Sequence, residues 1–276
     1  LGNPTQRALE RAVSELENCE AALALASGMA AVSAAVFTLV KTGDHIVAPE
    51  SGYSTTTNFL KYIGERFGIE TTFVDAANAE NYVAAIRPNT KLFWIETPSN
   101  PIVRVTDIKA VSAIAKEHSI LTVVDNTFAT PFNQSPCELG ADAVIHSATK
   151  YLGGHSDLTA GVLTGKREIV EAARQGANKF YGGNIAPQGA WLVLRGIKTL
   201  ALRMRQHNDN AYAIANMLAS HPKVIAVHYP GLPSHQNHKV AVRQMHGGFG
   251  GMIGLDVGTV EAGKTFANSV RLCTLA

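Results

Sequence analysis

Through the first two thirds of the 276-residue chain, short apolar runs rich in β-branched residues alternate with longer stretches of helical periodicity. Six runs read as strands: His45 to Ala48, Thr72 to Val74, Leu92 to Ile95, Leu121 to Val124, Val144 to His146 and Gly161 to Thr164. Runs of this kind belong to a mostly parallel sheet covered by helices on both faces. Helical stretches such as Thr55 to Phe67 and Val111 to His118 lie between them, with the length that right-handed crossovers need. The expected class is α/β, with a large, mostly parallel sheet domain over residues 1–200.

Near residue 200 the rhythm changes. Gly183 to Arg205 reads as one long helical region with Trp191, Leu192, Leu194 and Ile197 on its apolar side, and Asn208 to Leu218 as another. Val224 to Tyr229, a turn at Pro230 to Pro233, and Gly250 to Val257 suggest the opening of a smaller α+β domain over residues 201–276, incomplete at Ala276. Leu1 to Thr5 read as the middle of a loop and Leu272 to Ala276 as part of an apolar run, so both ends look cut.

Composition narrows the partners. With 46% hydrophobic and 17% charged residues the chain can bury a large core. Its 24 basic and 22 acidic residues are spread without runs, which argues against nucleic acid. Ala21 to Val40 is interrupted by Ser27, Gly28, Ser33 and Thr38, and it reads as a glycine-broken helix, neither membrane span nor signal. Cys19, Cys137 and Cys273 are far apart and outside any CxxC pair, so the expectation is a reducing cytosol with no disulfide, no structural zinc and no metal site.

In an open parallel sheet, ligands sit beyond the carboxyl ends of the strands. Three ends carry polar residues: Glu96 to Asn100, Asp125 to Thr127, and Ser147 to Lys150. Asp125 follows four apolar or β-branched residues, where an ionised carboxylate needs a positive partner such as a protonated heterocyclic nitrogen; it could equally cap the next turn. Ser147 and Thr149 offer hydroxyls to a phosphate, and Lys150 is close enough to bond an aldehyde on the same cofactor, although a surface lysine in a polar loop is the plainer alternative. Ser27, Gly28 and Met29 open an alanine-rich helix whose free amides favour an anion, or simply cap the helix. Tyr53 follows another strand at the same edge, where its ring can stack on a planar cofactor and its phenol can donate a proton, or it covers the sheet end. No GxGxxG follows the first strand and no Walker A lysine motif occurs.

Together these residues resemble the Cys/Met metabolism family of pyridoxal-phosphate (PLP) enzymes, which includes cystathionine γ-synthase, cystathionine γ-lyase, methionine γ-lyase and O-acetylhomoserine sulfhydrylase. The family's cofactor signature is similar to Asp142 to Ser156, and further matching blocks are Asn3 to Thr5, Ser27 to Met29, Glu96 to Pro101, Val124 to Phe128 and Tyr229 to Leu232. The resemblance implies fold-type I, the aspartate aminotransferase-like architecture. It implies that Lys150 binds PLP and moves protons, that Asp125 keeps the ring nitrogen protonated, and that Gly28, Met29, Ser147 and Thr149 hold the phosphate. Tyr53 would stack on the ring and protonate a departing sulfur, Asn100 would lie near the ring oxygen, and Glu96 would support the site from behind.

The same resemblance implies a homodimer or homotetramer acting on a sulfur amino acid or an O-acylhomoserine, and composition and the cysteine pattern add the expectation of a soluble cytoplasmic protein. Two family elements, a Tyr-x-Arg before Asn3 and a carboxylate-binding arginine near the C-terminus, fall outside these residues, so a non-catalytic remnant stands as an alternative. Leu194 to Leu200 and Val270 to Ala276 look like lyase-type members and favour C–S elimination over γ-replacement. Against this, Ser54-Thr55 stands where methionine γ-lyases usually have Gly-Cys, and Phe180 follows Lys179 in place of an aspartate.

Overall fold

The computed structural model describes residues 2–272. Seven strands form the main sheet: β1 (Ala21–Leu25), β2 (His45–Pro49), β3 (Glu70–Val74), β4 (Thr90–Glu96), β5 (Leu121–Asp125), β6 (Ala143–Ser147) and β7 (Gly161–Gly165). Their order is β1-β7-β6-β5-β4-β2-β3. The strands from β6 through β3 run parallel, while β7 is antiparallel to both of its neighbours. The six expected strands and the mostly parallel sheet are therefore present.

Alternation along the strands divides the core into two faces. On one face Leu23, Leu25, Ala48, Trp94, Val123 and Ile145 pack under α2 (Gly28–Leu39), α3 (Ser54–Phe67) and the helix Arg167–Gln175. On the other face Ala22, Ala24 and Val162 meet α1 (Pro4–Leu16) and the helix Pro187–Ile197, and Phe93, Ile95 and Val124 meet the helix Ile108–Glu117. Helix α1 starts at a capping box, in which Asn3 accepts from the Gln6 amide at 3.0 Å and the Gln6 side chain accepts from the Asn3 amide at 3.2 Å.

Three expectations need correction. Ala21 to Val40 is not one broken helix: Ala21–Leu25 is β1, paired residue by residue with Gly165–Gly161, and only Gly28–Leu39 is helical. Alanine and leucine favour helix, but pairing on a buried sheet and packing on both faces override that preference. Gly183 to Arg205 is likewise two helices, because the turn at Lys198 and Thr199 ends Pro187–Ile197 and the 20-residue helix Leu200–Ala219 follows. In the first of these Leu194 and Ile197 pack against the core beside the buried Val193, whereas Trp191 is 50% exposed. Finally, Cys19 and Cys137 are joined in a disulfide with Cα atoms 6.2 Å apart, although 118 residues separate them in sequence. Cys273 lies outside the described residues.

Beyond the main sheet, β8 (Ala226–His228) and β9 (Gly254–Asp256) form a separate antiparallel pair. No described helix is long and apolar enough to cross a membrane.

Candidate active site

The three polar strand ends are neighbours in space. Strands β4, β5 and β6 are adjacent and parallel, with Glu96 level with Asp125 and Asp125 level with Ile145. Glu96 follows Trp94, Asp125 follows Val123 and Ser147 follows Ile145 by two residues, and all three predecessors lie on the face covered by α2. The alternation thus brings Glu96, Asp125 and Ser147 to the same face, at the carboxyl edge of the sheet.

Against Ser147 lies the start of α2. Ser27 caps it, its hydroxyl accepting from the Ala30 amide at 3.0 Å. The Gly28 and Met29 amides have no hydrogen-bond partner among the described residues, which leaves the positive end of the helix dipole open. Gly28 lies directly against Ser147: a Cβ at position 28 would come within 2.8 Å of the Ser147 Cβ. Gly161 backs the same turn, and a Cβ there would collide with the Ser27 carbonyl. The Ser147 amide donates to the Thr127 hydroxyl at 2.8 Å, while its own hydroxyl has no partner among the described residues. Two free amides and one free hydroxyl therefore converge on a cradle that only glycine leaves open.

Thr149 stands in the same loop. Its hydroxyl bridges the two sides of its own loop, donating to the Ala160 carbonyl at 3.2 Å and accepting from the Ala160 amide at 3.1 Å. Of the two hydroxyls expected to face a phosphate, only that of Ser147 is free. Lys150 is exposed and its amine has no carboxylate partner among the described residues. The turn that carries it is fixed by Lys150 N–H donating to Ser147 at 3.1 Å and by Gly154 N–H donating to Lys150 at 2.7 Å.

The carboxylates create the site's electrostatic demand. Asp125 Oδ1 accepts from the Thr127 amide at 3.0 Å, and no lysine or arginine among the described residues pairs with the carboxylate. Burial raises its affinity for a proton, opposed by the Thr127 hydrogen bonds and then by the His146 imidazole. Glu96 is pushed up to about 8 by burial and then by the charge of Asp125. Its two oxygens bind the backbones of two other candidates, accepting from Tyr53 N–H at 2.8 Å and Asn100 N–H at 2.9 Å. Tyr53, 44% exposed, leaves its ring available beyond the sheet end.

A helix start that admits an anion, a carboxylate without a cation and a lysine without an acid are together what a phosphate, a ring nitrogen and an aldehyde require, so the residues present fit PLP. Sequence reasoning missed Thr127, which ties Asp125 to Ser147 through its amide and hydroxyl. It also missed Glu17 and His146, a buried pair with 2.6 Å between Oε1 and Nε2. Thr127 stood in plain view beside Asp125; nothing local distinguished Glu17.

Comparison with known proteins gives one answer. The family model described as "Cys/Met metabolism PLP-dependent enzyme" matches residues 1–276. A cystathionine gamma-lyase of Bacillus subtilis (strain 168) is 47% identical over 275 residues, which is 99% of this chain and 72% of that protein. An L-methionine gamma-lyase of Porphyromonas gingivalis is 47% identical over 279 residues, covering 100% of this chain and 70% of that protein. The crystal structure of metB from Corynebacterium glutamicum superposes with a TM-score of 0.97 at 44% identity, over 100% of this chain and 71% of that one. A cofactor cradle at adjacent strand ends and a match along the whole chain lead to one conclusion: the chain belongs to the Cys/Met metabolism PLP-dependent enzyme family.

Proposed function

We propose that the protein is a C–S lyase that eliminates the γ-substituent of methionine or a cystathionine-like amino acid. The observation that carries the site is the packing of Gly28, at the open start of α2, against Ser147, with Asp125 at the end of the adjacent strand and Lys150 three residues beyond Ser147. The lyase reading is supported by the 47% identity to two γ-lyases. PLP, when bound, supplies an electron sink for the carbon that loses its proton.

The chain's own residues do the rest. Gly28 and Met29 amides and the Ser147 hydroxyl bind the phosphate, with Thr149 bracing the loop beneath. Asp125 holds the proton on the ring nitrogen, since a buried carboxylate is stabilised by a cation beside it. Lys150 Nζ would hold the cofactor through its aldehyde and, once the substrate's amine takes that place and frees it, would carry protons between the substrate's α- and β-carbons. Tyr53 would cover the cofactor's ring and give its phenolic proton to the leaving sulfur. Glu96 fixes the Tyr53 and Asn100 backbones, and so places the Asn100 side chain near the ring oxygen.

In this reading residues 1–200 are the cofactor-binding domain and residues 201–276 begin a second one. It carries with it a cytoplasmic location and a homodimeric or homotetrameric assembly, which cell fractionation and light scattering test. The full-length protein, incubated in turn with methionine, cystathionine and an O-acylhomoserine, should release α-keto acid and thiol from the first two. Turnover confined to O-acylhomoserine plus a thiol would show a γ-replacing synthase or sulfhydrylase instead.

A further inference from the structure

A deeply buried polar cluster lies on the far side of the sheet from the cofactor cradle. Glu17 ends α1 and is wholly shielded from solvent, as is Asn126, while His146 is 1% exposed. A single oxygen makes both contacts: Asn126 Nδ2 donates to Glu17 Oε1 at 2.7 Å, and His146 Nε2 stands 2.6 Å from it. The other carboxylate oxygen, Oε2, and His146 Nδ1 are buried without a partner. Such a group is a poor source of stability, because desolvating a carboxylate costs several kcal/mol and apolar residues of similar volume do as well or better.

Its placement is more telling. Asn126 directly follows Asp125, and His146 directly precedes Ser147. Because side chains alternate along a strand, Asp125 and Ser147 face the cradle while Asn126 and His146 face α1. The Asn126 amide donates to the Ile145 carbonyl at 3.0 Å, and its side chain exchanges bonds with Gln134, donating to the backbone carbonyl at 3.0 Å and accepting from Nε2 at 2.9 Å. Glu17 Oε1 thus spans the two strand ends that carry the ring-nitrogen carboxylate on one side and the phosphate and lysine loop on the other.

We infer that Glu17 is a positioning residue for the cofactor site, whose Oε1 joins the ends of β5 and β6 from beneath and fixes the spacing between Asp125 and the Ser147–Lys150 loop. This rests on the reading of those residues as the PLP site. Geometry and not charge is the operative property, since both bonds use one oxygen and the second oxygen is unpartnered.

Two substitutions in the full-length protein separate the possibilities. Glu17→Gln keeps a carbonyl at the Oε1 position and removes the charge. Glu17→Asp keeps the charge and withdraws the oxygens by one C–C bond, about 1.5 Å. The readouts are the dissociation constant of PLP from the apoprotein by equilibrium dialysis, and the pH midpoint of the bound cofactor's visible band. Glu17→Gln should stay within about twofold of wild type, and Glu17→Asp should bind PLP about tenfold or more weakly with a displaced midpoint, as expected for misplacing a buried hydrogen-bonded group. A merely structural role would lower the melting temperature and leave both readouts unmoved. Weakened binding by Glu17→Gln, or wild-type values for Glu17→Asp, overturns the inference. Asp125→Asn, measured alongside, isolates the underlying reading: if it moves neither readout the site assignment has failed, and if it moves them while Glu17→Asp does not, the failure belongs to Glu17 alone.

Discussion

In the PLP-free full-length protein, Glu96→Gln should be destabilising in mild acid and approach or overtake wild type in mild base. Burial, followed by the neighbouring charge of Asp125, pushes Glu96 up from 4.5 to about 8. Because the folded value lies above the unfolded one, the fold holds this proton more tightly. The stability it contributes is fully present below about pH 4.5 and is lost as pH rises through about 8. Inside that window the slope is at most about 1.4 kcal/mol per pH unit, so wild type loses up to roughly 4 kcal/mol between about pH 5 and pH 8 on this group. Glutamine has no proton to lose. It does turn an NH2 toward one of the two backbone donors, Tyr53 N–H or Asn100 N–H, and the lost bond costs about 1–3 kcal/mol at every pH. The assay is the urea midpoint and slope of both proteins at four pH values across the window. A stability gap that does not change with pH would refute the reasoning. Asp125→Asn supplies an internal check: it removes the second cause of the shift, so Glu96 should titrate lower and the wild-type slope should shrink.

Lys150→Ala should abolish the borohydride-reducible PLP adduct and all turnover, while Asp125→Ala should retain the adduct and lose turnover by orders of magnitude; peptide mapping of the reduced protein and steady-state rates check both. His45, fully buried with its ring nitrogens 2.8 Å from the Thr90 hydroxyl and 2.9 Å from that of Thr72, is lowered to about 4 by burial and then by Arg87. Its stabilisation should therefore be complete above about pH 6.5 and lost as pH falls through about 4, and its NMR signals should not shift between about pH 8 and pH 5.5. Gly161→Ala forces a methyl into the Ser27 carbonyl, so it should weaken PLP binding as well as lower the melting temperature; apoprotein titration with PLP would show whether the cradle is displaced.

Much of the sheet is legible because burial leaves a local trace. Runs such as Leu121 to Val124 announce a strand wherever they occur, and a polar residue placed immediately after one, such as Asp125, announces the functional edge. β1 leaves no such trace. Its Ala-Ala-Leu-Ala-Leu lacks β-branching, and only the pairing with Gly165–Gly161 makes it a strand. The turn at Lys198 and Thr199 leaves no local trace because apolar residues continue on both sides of it, and the pairing of Cys19 with Cys137 depends on a contact across 118 residues.

Glu17 shows why the support for a site is harder to read than the site itself. The residues facing a cofactor follow their own strands, so one stretch of sequence carries both the strand and the chemistry. The residue holding those strands together arrives from an element 109 residues before Asn126 and 129 before His146. Yet the strand period links the two levels. If Asp125 and Ser147 point to the cradle, residues 126 and 146 must point to the opposite face, and Asn126 and His146 are both polar. Two polar side chains on the core side of buried strand ends require a buried partner with an acceptor. That requirement can be stated from sequence, and the fold meets it with the carboxylate at the end of α1.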